Sequence, residues 1–381
     1  MKRRKIPAHD LDAIIPILIC LWRKLHKIRG GPSDVLQTRE FRSIVETIKR
    51  QRGENEFTKE FVFSKESFGA YLMYDWIIRY LEGLHLLQEL PSVPNKVLDL
   101  CSGAAPFAFS ALRHGSREVH IVDKEERFLR AAGEISGRYG FPLTVYHENI
   151  FNGKYVIDQK YDLIILAYSL EELFPSREKG WFDRRKAFIF HLLSHLSEDG
   201  HLLIVEDSWP VSSRGVLQLR DAMLEEGVSV QAPCIWRGKC PAMQNPKGIC
   251  YAQRELSYSY HVKEVQRSAR IKESSLKMSY LFLKNPKNPP LSFPNERLYR
   301  VVSPLIKGFH GMCYHLCGVD GSKKLGSRLL EHSKDTRAFE FLRRGDIISL
   351  ENVLEDKNNL DLIEGSKIFV KIACGKAVFF D

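Results

Sequence analysis

Apolar residues return every three or four positions through Phe68-Gly-Ala-Tyr-Leu-Met-Tyr-Asp-Trp-Ile-Ile-Arg-Tyr-Leu and again from Leu84 to Leu90, the period of helices with a buried face. Gly30-Gly31-Pro32-Ser33 and Gln51-Arg52-Gly53-Glu54-Asn55 break this region, and Pro91-Ser-Val-Pro94 ends it, because proline cannot continue a helix. From Lys96 the period changes. Strands are predicted at Val97-Leu-Asp-Leu, Val119 to Asp123, Leu143 to His147, Tyr161 to Ala167 and Gly200 to Glu206. Helices are predicted between them at Phe107 to His114, Arg127 to Tyr139 and Trp181 to Leu196. Such alternation predicts a doubly wound α/β domain, a parallel sheet covered by helices on both faces.

Ser213 to Gly227 continues as a helix, a loop with three cysteines follows, and Ser279 to Lys284 reads as a returning edge strand. Asn285-Pro-Lys-Asn-Pro-Pro290 reads as a linker stiffened by proline. Short strand-like runs at Gly308 to Leu330, Phe339 to Leu350 and Lys367 to Phe380 predict a small β domain. The expected organisation is a helical region over 1–90, the α/β core over 91–290 and the β domain over 291–381.

With 381 residues, 44% of them hydrophobic, the chain is neither a disordered protein nor a small disulfide scaffold. Its net charge of +10 is uneven. Residues 1–52 carry 13 Lys and Arg against 5 Asp and Glu, residues 262–308 carry 10 against 3, and the remainder is net acidic. Two basic segments on an acidic body point to a polyanionic partner, since Lys and Arg gain affinity by releasing counterions from phosphates. A merely solvated surface is the competing reading. Leu11 to Trp22 is interrupted by Asp12 and Pro16 and is not expected to be a secretory signal, and no apolar run reaches the roughly 18–20 residues of a membrane span. A reducing compartment is expected, where clustered cysteines serve metals or catalysis more often than disulfides.

The first strand runs into Asp99-Leu100-Cys101-Ser102-Gly103-Ala104-Ala105-Pro106, and Asp123 closes the second strand about 20 residues further on. A small-residue turn lets the backbone approach a ligand, the next helix offers free N–H groups, and an acidic side chain at Asp123 can accept from ribose hydroxyls. Dinucleotide sites usually show G-x-G-x-x-G; Asp99 with Gly103 fits the looser pattern of S-adenosylmethionine sites better. Cys101 and Ala105 stand where that pattern prefers glycine. The alternative is an ordinary strand-to-helix turn. After the fourth strand, Leu166-Ala-Tyr-Ser-Leu-Glu-Glu172 lacks the Asn/Asp-Pro-Pro-Tyr clamp of amino-methylating enzymes, and Glu171 and Glu172 could equally face solvent or cap a helix.

Cys234-x5-Cys240-x9-Cys250 places three thiols in a loop with Pro233, Gly238, Pro241, Pro246 and Gly248. A metal would supply the cross-links that such a loop lacks. The fourth thiol is Cys313 or Cys317, with Cys374 a more distant candidate. Four thiolates hold tetrahedral zinc or an iron–sulfur cluster; the wide single spacing, without Cys-x2-Cys knuckles, leans toward the latter. Unligated, partly buried thiols are the plain alternative.

Together these residues resemble the small-ribosomal-subunit methyltransferase-like family, whose members include a mitochondrial ribosome assembly factor with an iron–sulfur cluster and bacterial proteins of similar layout. The resemblance runs from about Phe68 to Asp346. It is carried by Val97-Leu-Asp-Leu, Tyr161-Asp-Leu-Ile-Ile, Ser169-Leu-Glu-Glu-Leu173, Leu202-Leu-Ile-Val-Glu206 and Arg220-Asp221-Ala-Met-Leu. More specific are Ala232-Pro-Cys234, Cys240-Pro241, Cys250-Tyr-Ala-Gln-Arg254, Ser279-Tyr-Leu281, His315-Leu-Cys317 with Asp320-Gly321, and Arg344-Gly345-Asp346. Asp207-Ser-Trp-Pro-Val departs from the family's shorter turn, and residues 1–60 match no motif.

The resemblance implies a Rossmann-like class I methyltransferase core, a [4Fe–4S] cluster on Cys234, Cys240, Cys250 and Cys317, and an S-adenosylmethionine site at Asp99, Cys101, Gly103, Ala105 and Asp123. It also implies assembly work on the small ribosomal subunit, in contact with its rRNA and proteins, by a monomer in a bacterial cytoplasm or a mitochondrial matrix. Lys263, Arg267, Arg297 and Arg300 are the expected rRNA contacts. An active S-adenosylmethionine-dependent rRNA methyltransferase and a zinc-binding RNA module are the alternatives.

Overall fold

The computed structural model describes residues 8–29, 38–53, 64–150, 157–256, 259–285, 287, 296–308 and 311–377. The break expected at Gly30 to Ser33, the last two residues of the one expected at Gln51 to Asn55, and most of the linker from Asn285 to Pro290 lie outside these residues, whereas Gln51 to Gly53 are helical. Two compact units emerge. One comprises the chain up to Leu87, Val93–Lys179 and Glu255–Leu276; the other comprises Gln88–Ser92, Gly180–Arg254 and the chain from Lys277 onward.

The first unit begins with α1 (Ala8–His26) and α2 (Arg39–Gly53). Leu11, Ile14, Ile15, Leu18, Leu21 and Trp22 form the buried stripe of α1, an amphipathic helix with Pro16 inside it. Next, α3 (Lys65–Ala70) passes through a π turn at Tyr71–Asp75 into α4 (Trp76–Leu87). The π turn inserts an extra residue into the helical rhythm, and Tyr71 to Tyr74, Trp76 and Ile77 are all buried.

Then come β1 (Lys96–Leu100), α5 (Pro106–His114), β2 (Glu118–Asp123), α6 (Glu126–Tyr139), β3 (Thr144–His147), β4 (Tyr161–Ala167) and a short α7 (Leu170–Leu173). The strands of this unit lie in the order β3-β2-β1-β4, all parallel. Val97 to Leu100 are buried on both faces, as a parallel strand between helices must be.

The second unit contributes α8 (Trp181–Ser194), β5 (Leu196–Asp207), α9 (Pro210–Glu225), β6 (Val230–Ala232) and β7 (Ala252–Glu255). The chain returns to the first unit for α10 (Tyr260–Ala269), which sequence reading treated only as part of a basic segment. β8 (Ser275–Lys284) follows. It lies antiparallel between β5 and β6, with β7 also paired to it, so it is an inner strand and not the edge strand expected. Met278 to Leu283 are buried without alternation, which only a strand covered on both faces can satisfy.

The remaining strands are β9 (Leu298–Val301), β10 (Ile306–Gly308), β11 (Gly311–Gly318), β12 (Gly321–Ser327), β13 (Ile347–Glu351), β14 (Leu354–Asp356), β15 (Asn359–Leu362) and β16 (Lys367–Ile372). They form a sheet in the order β14-β15-β12-β11-β9-β13-β16 around Tyr299, Tyr314, Leu316, Leu325, Phe339, Ile348 and Leu360. The strand sets are those of an α/β fold with a mixed sheet, and the strands from β9 onward form a second sheet within the second unit. Among the described residues no helix is long and apolar enough to cross a membrane.

Candidate functional sites

The turn after β1 is held by side chains from three directions. Asp99 Oδ2 accepts the N–H of Ala108 at 3.0 Å and fixes the start of α5; burial pushes its carboxyl up to about 8. Asp123 accepts from Gly103 N through Oδ2 and from Glu125 N through Oδ1, both at 2.8 Å, and burial raises it as well. Ala104 is clamped by the π turn and the residue after it: Tyr71 Oη accepts its N–H at 3.3 Å, and Trp76 Nε1 donates to its carbonyl at 2.8 Å. The five-residue spacing of Tyr71 and Trp76, out of step with an α-helix, is the sequence signal for that clamp.

Cys101, Gly103 and Ala105 have φ of 54°, 55° and 63°. The two positions where cysteine and alanine replace the preferred glycine are therefore left-handed, a conformation costing about 1–2 kcal/mol for a residue with a Cβ. Burial raises the Cys101 thiol, which favours its protonated form.

After β4, Tyr168 is also left-handed, at φ 57°. Its hydroxyl donates to Glu82 at 2.5 Å, and Arg79 lies 4.4 Å from its ring centre. Glu171 accepts from the N–H and hydroxyl of Ser176, and Glu172 pairs with Lys124 at 2.7 Å. Glu172 also lies within electrostatic reach of Cys101 and Asp123 and so borders the turn after β1.

The cysteine loop belongs to the second unit and is ordered by α9. Asp221 accepts the N–H of Cys240 on both oxygens, and Ser213 Oγ donates to the carbonyl of Cys250 at 3.0 Å. Arg214 donates to the carbonyls of Asn245 and Gly248, and Arg220 to those of Trp236 and Gly238. A loop expected to lack internal cross-links is thus satisfied by one helix. Gly248 is required where it stands, because a Cβ there would meet the Ala242 carbonyl oxygen at 2.0 Å. Ile235 is buried with Leu298 and Ile347 and anchors the loop on β9 and β13.

Cys317 lies on β11, opposite Arg300 of β9 and Ser322 of β12. Cys234, Cys240, Cys250 and Cys317 lie within electrostatic reach of one another. Burial, then the neighbouring sulfurs, pushes Cys240 up to about 11, Cys250 up to about 12 and Cys317 higher still. The other two candidates sit elsewhere: Cys313 faces Gly308 across the β10–β11 pair, and Cys374 is beside Gly345. Among the described residues, no group of three or more His, Cys, Asp or Glu side chains is arranged closely enough to hold a metal ion as it stands.

The four expected rRNA cations divide. Lys263 and Arg267 are on the exposed side of α10 together with Arg270 and Tyr260, Arg267 pairing with Glu264 at 2.6 Å. Arg297 is exposed but spends its fork on Asp320 and Glu355. Arg300 is a correction: it is only 8% exposed and donates to the carbonyl of Gly345 at 3.0 Å, so it meets no phosphate from this position.

A profile of the mitochondrial small ribosomal subunit Rsm22 family matches residues 73–345. The chain belongs to this family. The match spans the turn after β1, α9, all four clustered cysteines and most of the motifs on which the resemblance was drawn. Methyltransferases recur among similar solved structures. They include a ribosomal protein L11 methylase from Lactobacillus delbrueckii subsp. bulgaricus, 15% identical over 54% of this chain and 77% of that one, TM-score 0.33. The N-methyltransferase NodS from Bradyrhizobium japonicum with S-adenosyl-L-homocysteine is 13% identical over 63% and 99%, TM-score 0.37. A putative RNA methyltransferase from Pyrococcus horikoshii is 14% identical over 64% and 97%, TM-score 0.35. At these scores the likeness carries no weight for function. No curated protein sequence matches the chain.

Proposed function

We propose that this Rsm22-family chain is an assembly or maturation factor of the small ribosomal subunit. Its methyltransferase-like core serves as a scaffold, and a [4Fe–4S] cluster on Cys234, Cys240, Cys250 and Cys317 ties the cysteine loop to the C-terminal strands. The observation that carries the reading is the mutual reach of four buried or half-buried thiols within a family match that includes all of them. The donor set fits such a group: four soft sulfurs with no imidazole among them suit zinc or iron–sulfur rather than calcium or magnesium. When bound, the cluster supplies cross-linking between segments distant in sequence, as structural metal sites do. Lys263 and Arg267 are the assigned rRNA contacts, acting on phosphates and therefore setting affinity more than sequence choice.

S-Adenosylmethionine is the ligand we assign to the turn after β1. Asp123 retains acceptor capacity beyond its two backbone bonds. Methyl transfer to rRNA is the second reading, favoured by that same turn and opposed by Tyr168 standing where a target clamp would be. Anaerobic purification followed by iron, sulfide and zinc assays, and cosedimentation with small subunits, tests the first reading. About four irons and four sulfides per chain with subunit binding is expected; stoichiometric zinc without sulfide would replace the cluster with the zinc alternative. Calorimetry with S-adenosylmethionine and methyl transfer to purified subunits tests the second.

A further inference from the structure

Among the described residues, Arg220, Arg237, Arg300 and Arg344 lie within electrostatic reach of the four thiols; Arg220 and Arg300 are buried, and Arg237 and Arg344 are half-buried. Arg220 of α9 has a side chain only 1% exposed and is fixed by the carbonyls of Trp236 and Gly238. Arg300 is the antiparallel register partner of Cys317, so the two side chains leave the same face with Cβ atoms about 4.5–5.5 Å apart. Arg344 lies 4.0 Å over the ring of Tyr251, the residue after Cys250, and donates to its carbonyl at 3.1 Å. Arg220 is within electrostatic reach of Cys240 and Cys317, and Arg300 and Arg344 of Cys250. Arg220, Arg300 and Arg344 each also keep a buried Nε–H with no hydrogen-bond partner among the described residues. Buried donors are almost always satisfied, and three orphans around one group of sulfurs point to an anionic occupant.

We propose that buried Arg220 and Arg300, with half-buried Arg344, form a cationic cradle that holds the charge of the thiolate-ligated centre. The proposal rests on reading the four cysteines as a cluster site. A dicationic core bound by four thiolates carries two net negative charges, and burying them without counter-charge is strongly unfavourable. Guanidinium suits the task better than ammonium, because it stays charged when desolvated and its rigid fork can hold backbone carbonyls while the remaining N–H faces sulfur. These are positioning residues: they ligate nothing and act on the centre through charge and hydrogen bonds.

The test uses the full chain, purified anaerobically with its cluster, and the variants Arg300→Met, Arg344→Met and Arg300→Lys. Each is checked for unchanged far-ultraviolet circular dichroism. Cluster release to a chelator and the midpoint potential from an electron-paramagnetic-resonance titration are then measured. Arg300→Met and Arg344→Met should each release iron about tenfold faster and shift the potential to more negative values, because a lost cation disfavours added electrons. Arg300→Lys should restore most of the potential, which a merely structural role would not do. A loaded wild-type chain whose potential and release rate are unmoved by both methionine variants overturns the cradle. A wild-type chain without iron and sulfide overturns the reading of the site instead, so the two failures are distinct.

Discussion

Asp221 receives the backbone N–H of Cys240 on both carboxylate oxygens, each at 3.1 Å, and its Oδ1 also pairs with Arg220, the preceding residue of the same helix. One carboxylate therefore fixes a cysteine's backbone and a buried cation together. Asp221→Ala should leave a buried N–H unsatisfied and cost about 1–3 kcal/mol. A melting temperature lower by several degrees and a reduced iron content per chain are expected, with Asp221→Asn intermediate because its amide oxygen still accepts. Unchanged melting and iron in Asp221→Ala would mean that the loop is ordered by its other contacts alone.

Glu89 and Arg254 form a buried ion pair in the second unit, with the Tyr280 hydroxyl and the Arg254 guanidinium both donating to the carboxylate. Burial opposes the charge on Arg254, and Glu89, together with Tyr280 and Cys374, outweighs it. Removing one partner strands the other charge. Glu89→Gln should cost about 3–5 kcal/mol in chemical denaturation, whereas a Glu89→Met, Arg254→Met double variant should recover much of that loss. A double variant as unstable as the single one would show that packing, not charge, dominates there.

Much of this was legible from apolar periodicity. The strands at 161–167 and near 97–100 and 119–123, and the helices between them, required only runs of four to seven buried residues alternating with helical stripes. Charge was harder to read. Arg300 stands in Leu298-Tyr-Arg300-Val301, a strand whose four residues are all buried, and counting cations along 262–308 cannot distinguish a cation facing phosphate from one enclosed by protein. The same count hid α10, although Ser259 as N-cap and buried His261, Val262, Val265 and Ala269 carry the helical period. Cys101 and Ala105 were recognised as substitutions for glycine. That both positions are left-handed depends on the turn's backbone, which side-chain pattern does not encode.

The carboxyl of Asp99 gives the first unit a characteristic pH response. Its folded pKa, raised by burial to about 8, exceeds its ordinary unfolded value, so the folded state binds the proton more tightly. The stabilisation is complete below about pH 4 and is lost as pH rises through about 8. Asp99→Asn keeps an acceptor for the Ala108 N–H and removes the titration. Its urea-unfolding free energy should therefore fall less steeply between pH 5 and 8 than that of the wild type, by up to roughly 1.4 kcal/mol per pH unit. Parallel curves for the two proteins would show that Asp99 does not keep its proton in the fold.

Lys263 and Arg267 differ from Arg300 in a way that salt can read. The first two are exposed on α10, beside the 72% exposed ring of Tyr260, whereas Arg300 is enclosed. Each phosphate contact made by an exposed cation releases about 0.7–0.9 counterion, so the slope of log affinity for rRNA against log salt reports how many contacts are lost. Replacing Lys263 and Arg267 together by Gln should flatten that slope by about 1.4–1.8 and weaken binding at low salt. Arg300→Gln should leave the slope unaltered even where it weakens the protein, because no phosphate reaches it. If Arg300→Gln flattens the slope while the α10 pair does not, the basic surface lies on the C-terminal strands, and the assignment of α10 as the rRNA-binding helix is wrong.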